Sequence, residues 1–219
     1  MNASASVFLA LFLAVAALDW AAVHLGSKRL EYLAKPGCMV FLIGAALVMD
    51  PSDGAARVAL VAALVLSMVG DVFLMLPGRQ PGSEGPDLFV AGLAAFLLAH
   101  VAYVVAFLLD GAQLSDALVG LIPLAFIGVF AARPIIQGVH SSTEPELATP
   151  VTAYVGVISA MVLAAFGTGQ LTAILGALLF AFSDSLIALG RFVRPREWFP
   201  LAIIITYHLA QGLLTVSFT

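Results

Sequence analysis

Two aspartates lie inside stretches of this sequence that are otherwise apolar. Asp71 interrupts "MVGDVFLML" at residues 68–76, and Asp184 interrupts "FAFSDSLIAL" at residues 180–189. A carboxyl group held away from water can act as a general acid or base, and two carboxyl groups can divide the steps of a hydrolysis between them. The alternative for either aspartate is a structural cap or a hydrogen bond between helices. Because an ionisable side chain inside a membrane helix costs about 2.5–3.5 kcal/mol, a functional role is favoured.

The segments that must position these acids are long enough to cross a membrane. The sequence is 62% hydrophobic and 10% charged, whereas soluble domains carry about 25% charged residues. A helix needs about 20 apolar residues to cross the hydrocarbon layer. We therefore predict an all-α membrane protein in which residues 1–219 form a single transmembrane domain of eight helices. Their predicted bounds are 4–25, 31–49, 56–76, 87–109, 115–133, 147–167, 170–190 and 198–217.

The nine basic residues predict the orientation of the helices. Eight of them fall at or near helix ends on one side of the membrane, and only Arg57 falls on the other. The positive-inside rule then places both termini outside and both acids in the cytoplasmic half of the membrane. In a bacterium this would be the inner membrane, with the active site toward the cytoplasm. The eight residues are Lys28, Arg29, Lys35, Arg79, Arg133, Arg191, Arg194 and Arg196.

A faint internal repeat relates the two acids. Each of them follows a proline, by 35 residues in the first half and by 34 in the second. Each also precedes a histidine, by 29 and by 24 residues. We therefore predict two pseudo-repeats of four helices each in parallel orientation, at about residues 1–112 and 113–219. The first set is Pro36, Asp71 and His100, and the second is Pro150, Asp184 and His208.

Six further polar residues are candidates for substrate binding in the same interior. For the two histidines the alternative is a hydrogen-bonded packing role, and for the two cations it is anchoring at the membrane interface. Arg191 lies seven residues after Asp184 and therefore on the same helical face, so it could also be a salt-bridge partner of that acid or a phosphate ligand. Lys35 has the same alternatives. Asp19 maps to the same half of the membrane. The six candidates are Lys35, His100, Tyr103, Tyr154, Arg191 and His208.

Several chemistries are excluded by the absence of their motifs. The sequence has no H-E-x-x-H zinc helix, no G-x-S-x-G elbow and no G-x-x-x-x-G-K-[ST] phosphate loop. Its single cysteine, Cys38, allows neither an intramolecular disulfide nor a cysteine-based metal cluster. We predict no cofactor and no metal. The basic residues form no patch suited to nucleic acid, so no nucleic-acid partner is predicted.

Five motifs together resemble the YhhN-like family, the lysoplasmalogenases. They are "KP" at 35–36, "GDVFLML" at 70–76, "GLAAFLLAHVAY" at 92–103, Tyr154, and "SDSLIALGRF" at 183–192. The resemblance implies an eight-helix membrane enzyme that hydrolyses the vinyl ether bond of lysoplasmalogens to a fatty aldehyde and a glycerophospho headgroup. It places the intramembrane acids of the family on Asp71 and Asp184. The implied partners are a lysophospholipid substrate and membrane lipids, while headgroup preference and oligomeric state stay open.

The implied reaction fits two buried carboxyl groups. Vinyl ether hydrolysis needs a carboxylic acid to protonate the β-carbon and a second carboxylate to stabilise the oxocarbenium ion that forms. Which aspartate donates the proton stays open, although pairing of Arg191 with Asp184 would favour Asp71 as the donor. Two other classes also fit: a proton-coupled transporter of a small or lipid-like substrate, and a lipid-binding protein without chemistry.

Overall fold

The computed structural model describes residues 2–50, 53–76 and 88–219. Within these ranges the chain consists of helices and the turns that connect them. Eight helical segments of this described part are long and apolar enough to cross a membrane. The predicted all-α architecture with eight spanning helices is therefore confirmed.

The helices are numbered in chain order. The first four spans are α1 (Ala3–His24), α2 (Lys28–Val48), α3 (Gly54–Met75) and α4 (Leu88–Leu109). The fifth span, Leu114–His140, contains α5 (Leu114–Ala117), α6 (Leu121–Ile127) and α7 (Arg133–His140). The last three spans contain α8 (Ala148–Gly167), α9 (Leu171–Phe192) and α10 (Phe199–Val216).

The fifth span differs most from its predicted bounds. Arg133 was expected to end it, but the helix continues to His140. Pro134 lies in the first turn of α7, where the missing N–H of proline interrupts the helix least. The preceding turn, Gly128–Ala132, is π-helical and contains one residue more than an α-helical turn. The extra residue lets the helix continue into α7 despite the proline. Arg133 therefore lies within this span, one residue before the proline.

The basic residues at the other predicted ends are only partly described. α2 begins at Lys28, three residues before its predicted start, and includes Lys35 and Pro36. Arg79 lies outside the described residues, so its contribution to the predicted orientation stays a prediction.

The chain divides into two compact units. The first comprises Met1–Ala106 with Phe218–Thr219, and the second comprises Phe107–Ser217. In the first unit α2 packs against both α1 and α3. In the second unit α9 packs against both α8 and α10. Asp71 therefore belongs to the first unit and Asp184 to the second.

Polar and apolar side chains are distributed as a lipid-facing surface requires. Many large apolar residues are exposed, Leu33 and Ile122 among the most. Several polar side chains are instead buried, because an unpaired polar group facing hydrocarbon would be costly. Those within the spans are Asp19, Ser67, Asp71, His100, Ser183, His208, Gln211 and Thr215.

Candidate functional site

In the first unit Asp71 forms an ion pair with Lys35. Asp71 on α3 is 2% exposed, and its Oδ1 lies 3.4 Å from Nζ of Lys35 on α2. The lysine side chain is itself only 15% exposed, so both partners of the ion pair are largely buried. The candidate acid and one candidate substrate ligand thus meet, although 36 positions separate them in the sequence.

A second carboxyl group accompanies this ion pair. Asp19 on α1 is fully buried and interacts electrostatically with both Lys35 and Asp71. Ser67 lies one helical turn before Asp71 on α3 and is fully buried. The first unit therefore gathers two carboxyl groups and one ammonium group from three consecutive helices, within otherwise apolar surroundings.

Close packing beside Asp71 involves Gly70 and α4. A Cβ atom at Gly70 would lie 2.5 Å from Cδ2 of Phe96, so only glycine lets this ring approach. The carbonyl of Phe96 accepts a hydrogen bond of 2.6 Å from Nδ1 of His100. The His100 ring is thereby held in the tautomer with a proton on Nδ1. His100 and Tyr103, one turn apart on α4, are both fully buried.

We expect replacement of Gly70 by alanine to destabilise the protein. The new Cβ would displace the Phe96 ring, and overpacking of this kind costs about 1–3 kcal/mol. Gly54→Ala is the matched control, because a Cβ at the start of the same helix meets no atom within 4 Å. Thermal unfolding of both variants in detergent measures the difference. Equal unfolding midpoints for the two variants would show that the Phe96 contact does not constrain α3.

In the second unit Asp184 is held by a tyrosine. The hydroxyl of Tyr154 on α8 donates a hydrogen bond to Oδ2 of Asp184 on α9. Tyr154 is 9% exposed, and Asp184 is half-buried. The two residues flanking Asp184 also carry hydroxyl groups. Ser183 donates to the carbonyl of Ile203 and Ser185 to that of Ala181, so both are used in packing.

Arg191 binds a residue that the sequence analysis did not consider. Its Nη2 donates to both carboxylate oxygens of Glu144, at 3.0 and 2.8 Å. Arg191 is in the last turn of α9, and Glu144 lies in the connection before α8. Glu144 is 47 positions away, so no local spacing could have indicated this partner. Arg191 thus forms a salt bridge with Glu144, while the salt bridge with Asp184 that the sequence left open stays a prediction.

The polar residues of α10 lie near Asp184's helix. His208 and Gln211 are fully buried, and because they are three residues apart they share one face of the helix. Tyr207 packs edge-to-face on Phe180 of α9, with ring centroids 5.5 Å apart. Phe180 lies one helical turn before Asp184. Helix α10 is therefore fixed against the part of α9 that carries the acid.

The structure thus forms two local pairs from the predicted residues. Lys35 meets Asp71 in the first unit, and Tyr154 meets Asp184 in the second. His100 with Tyr103 and His208 with Gln211 are buried on their own helices. In chemical terms, each unit places a candidate acid within a membrane span beside a side chain that binds it.

Comparison with known proteins assigns the chain to a family of enzymes. Human lysoplasmalogenase TMEM86B is 37% identical to it over 176 residues, covering 80% of this chain and 70% of the human protein. The lysoplasmalogenases of Mycobacterium bovis and Mycobacterium tuberculosis are each 34% identical over 183 residues, covering 82% of this chain and 67% of theirs. No solved structure matches the chain.

These relatives confirm the prediction that the chain is a lysoplasmalogenase-like enzyme and a multi-pass membrane protein. They give no support to the proton-coupled transporter. The family model covers most of the sequence, including Lys35, Asp71, Tyr154 and Asp184. With residues 30–218 matched by the model of the YhhN family, the chain belongs to that family.

Proposed function

We propose that this protein hydrolyses the vinyl ether bond of lysoplasmalogens, with an alkenyl glycerophosphoethanolamine or glycerophosphocholine as substrate. The names of its relatives support the reaction class. The observation that carries the proposal is the Asp184 carboxyl group, which accepts a hydrogen bond from Tyr154 inside a membrane span. A carboxyl group so placed can reach a bond that lies just below a lipid headgroup.

The proposed chemistry needs only a carboxylic acid, a base and water. The acid transfers its proton to the β-carbon of the vinyl ether, and the electron pair of the ether oxygen forms an oxocarbenium ion. Water adds to the cationic carbon and gives up a proton to a carboxylate, which yields a hemiacetal. The hemiacetal then breaks its carbon–oxygen bond to the glycerol and releases a fatty aldehyde and the free glycerol hydroxyl. No oxidant or reductant is consumed.

We assign proton donation to Asp184. Its observed partner is a neutral hydroxyl group, whereas the partner of Asp71 is the Lys35 ammonium group. A cation beside a carboxyl group favours the charged form, which suits stabilisation of positive charge rather than donation of a proton. The guanidinium of Arg191, whose pairing with Asp184 would favour Asp71 as the donor, binds the carboxylate of Glu144. The carboxyl group of Asp71 is the second one that the proposed reaction requires.

The proposed substrate contacts follow from the remaining polar groups. Arg191 is partly exposed, with 32% of its side chain accessible, and two helical turns separate it from Asp184. A guanidinium at that position can exchange Glu144 for a phosphate, because both anions accept paired hydrogen bonds. We retain Lys35, His100, Tyr103, Tyr154 and His208 as proposed substrate-binding residues.

We also propose that both termini face the outside, that the acids face the cytoplasmic leaflet, and that two four-helix repeats form the chain. The charge distribution and the matched placement of Asp71 and Asp184 support this arrangement. Single cysteines placed at Ser27 and at Gln113 in a Cys38→Ser background test it. A membrane-impermeant maleimide added to intact cells should label the cysteine at 113 and spare the one at 27. The reverse pattern would overturn the proposed orientation.

The reaction itself is tested with purified protein in detergent. We expect it to release fatty aldehyde from 1-alkenyl lysophosphatidylethanolamine, and to leave the matching 1-alkyl ether intact because an alkyl ether has no carbon–carbon double bond to protonate. Aldehyde is measured by coupled reduction with a nicotinamide cofactor. Absence of aldehyde, with both headgroups tried, would refute the proposed function, and proton-linked lipid uptake into vesicles would then support a transporter.

A further inference from the structure

An apolar cavity of ≈ 80 Å³ lies within the second unit. Side chains of α6, α7, α8 and α9, together with the π-helical turn, form its walls. Two hydroxyl groups reach it, but both already donate to a backbone carbonyl one turn earlier: Ser159 to Val155 at 2.7 Å and Ser185 to Ala181 at 2.6 Å. The cavity therefore offers a ligand mainly hydrocarbon contacts. Its apolar walls include Leu124, Ile127, Ile135, Ile158, Val162 and Ala181.

The cavity adjoins the Tyr154–Asp184 pair. Val155 and Ser185, the chain neighbours of these two residues, both line it. Ile158 lies one turn after Tyr154 on α8, and Ala181 lies three residues before Asp184 on α9. Residues at such spacings share a helical face, so the polar pair lies at the border of the apolar space.

The order of groups along α9 matches the order of groups along a single-chain lipid. Ala181 lines the cavity, Asp184 follows after three residues, and Arg191 follows after seven more. A rise of about 1.5 Å per residue sets the carboxyl and guanidinium residues about 10 Å apart along the helix. The lipid has a hydrocarbon chain, then the vinyl ether, then the phosphate. The hydrocarbon chain would face the cavity, the vinyl ether would face Asp184, and the phosphate would face Arg191.

We infer that this cavity holds the first part of the substrate's alkenyl chain, next to the bond that is cleaved. The inference rests on the proposed function and adds to it a specific chain-binding subsite. The π-helical turn provides the space, since a Cβ atom at Gly128 would meet no heavy atom within 4 Å. Turns of this type recur at functional sites.

Gly128→Leu tests the inference, because it adds a side chain at a position that lines the cavity without a backbone clash. We expect KM for 1-alkenyl lysophosphatidylethanolamine to rise about tenfold, since the leucine side chain would displace methylenes of the lipid from apolar contact. Inhibition by glycerophosphoethanolamine, which has the headgroup but no chain, should not change. Gly156→Leu is the matched control: it lies on α8, is exposed, has no atom within 4 Å of its Cβ and does not line the cavity.

A binding measurement keeps this test separate from the test of the reaction. The non-hydrolysable 1-alkyl lysophosphatidylethanolamine should raise the unfolding midpoint of the wild type and of Gly156→Leu more than that of Gly128→Leu. Equal shifts for all three proteins, or equal KM values, would overturn the subsite even if hydrolysis is observed. If the wild type hydrolyses no lysoplasmalogen but the binding difference appears, the proposed function fails and the chain-binding cavity stands.

Discussion

Asp184→Asn should reduce the rate of aldehyde release by at least about 100-fold while the protein stays folded, as expected for loss of a general acid. The amide has nearly the same shape as the carboxyl group and can still accept the Tyr154 hydrogen bond, so the packing between α8 and α9 is preserved. It carries no acidic proton to transfer to the vinyl ether. The loss should therefore appear in kcat, with little change in KM, because substrate contacts are retained.

Two companion variants make this prediction specific. Tyr154→Phe removes the hydroxyl that holds Asp184 and should lower kcat by up to about tenfold, because a hydrogen bond between neutral groups is worth about 0.5–1.5 kcal/mol. Asp116→Asn makes the same carboxyl-to-amide change at an exposed position of the same unit and should match the wild type. Full activity of Asp184→Asn, with unfolding midpoints unchanged, would remove Asp184 from the mechanism.

The sequence predicts the spans well because hydropathy is a local property. Each of the eight helices covers an apolar stretch that is visible without any tertiary contact. The acids Asp71 and Asp184 are conspicuous for the same reason, since each is a charge within such a stretch. The contacts that these two acids make are harder to predict from the sequence. The Tyr154 hydrogen bond joins residues 30 positions apart, and only the packing of α8 on α9 brings them together.

The features that the sequence does not predict are those set by long-range packing. Glu144 is not among the residues that the sequence singles out, yet it binds Arg191 across 47 positions. For Asp19 the sequence indicates only that it lies in the same half of the membrane as the two acids. Its interaction with Lys35 and Asp71 depends on how α1 packs on α2. In both cases a contact with a segment distant in the sequence decides the outcome.

Lys35→Met should destabilise the protein by about 3 kcal/mol or more, because it leaves the Asp71 carboxylate buried without its cation. Methionine keeps the length and the apolar stem of lysine, so the change isolates the charge. Asp71→Asn should be less costly, since a lysine that is 15% exposed can turn its flexible ammonium group toward the membrane surface. Thermal unfolding in detergent measures both effects.

The double variant Lys35→Met with Asp71→Asn separates the structural role of the pair from its catalytic role. With neither charge present, no uncompensated ion is buried, and stability should recover by about 1–3 kcal/mol relative to Lys35→Met alone. Aldehyde release should nevertheless stay at the level of Asp71→Asn, because the reaction needs the carboxyl group itself. Recovery of activity together with stability would show that Asp71 serves only the packing of α2 on α3. If stability recovers but activity does not, the buried carboxyl group of Asp71 acts in catalysis. Lys35 then stabilises that carboxylate within an apolar helix bundle.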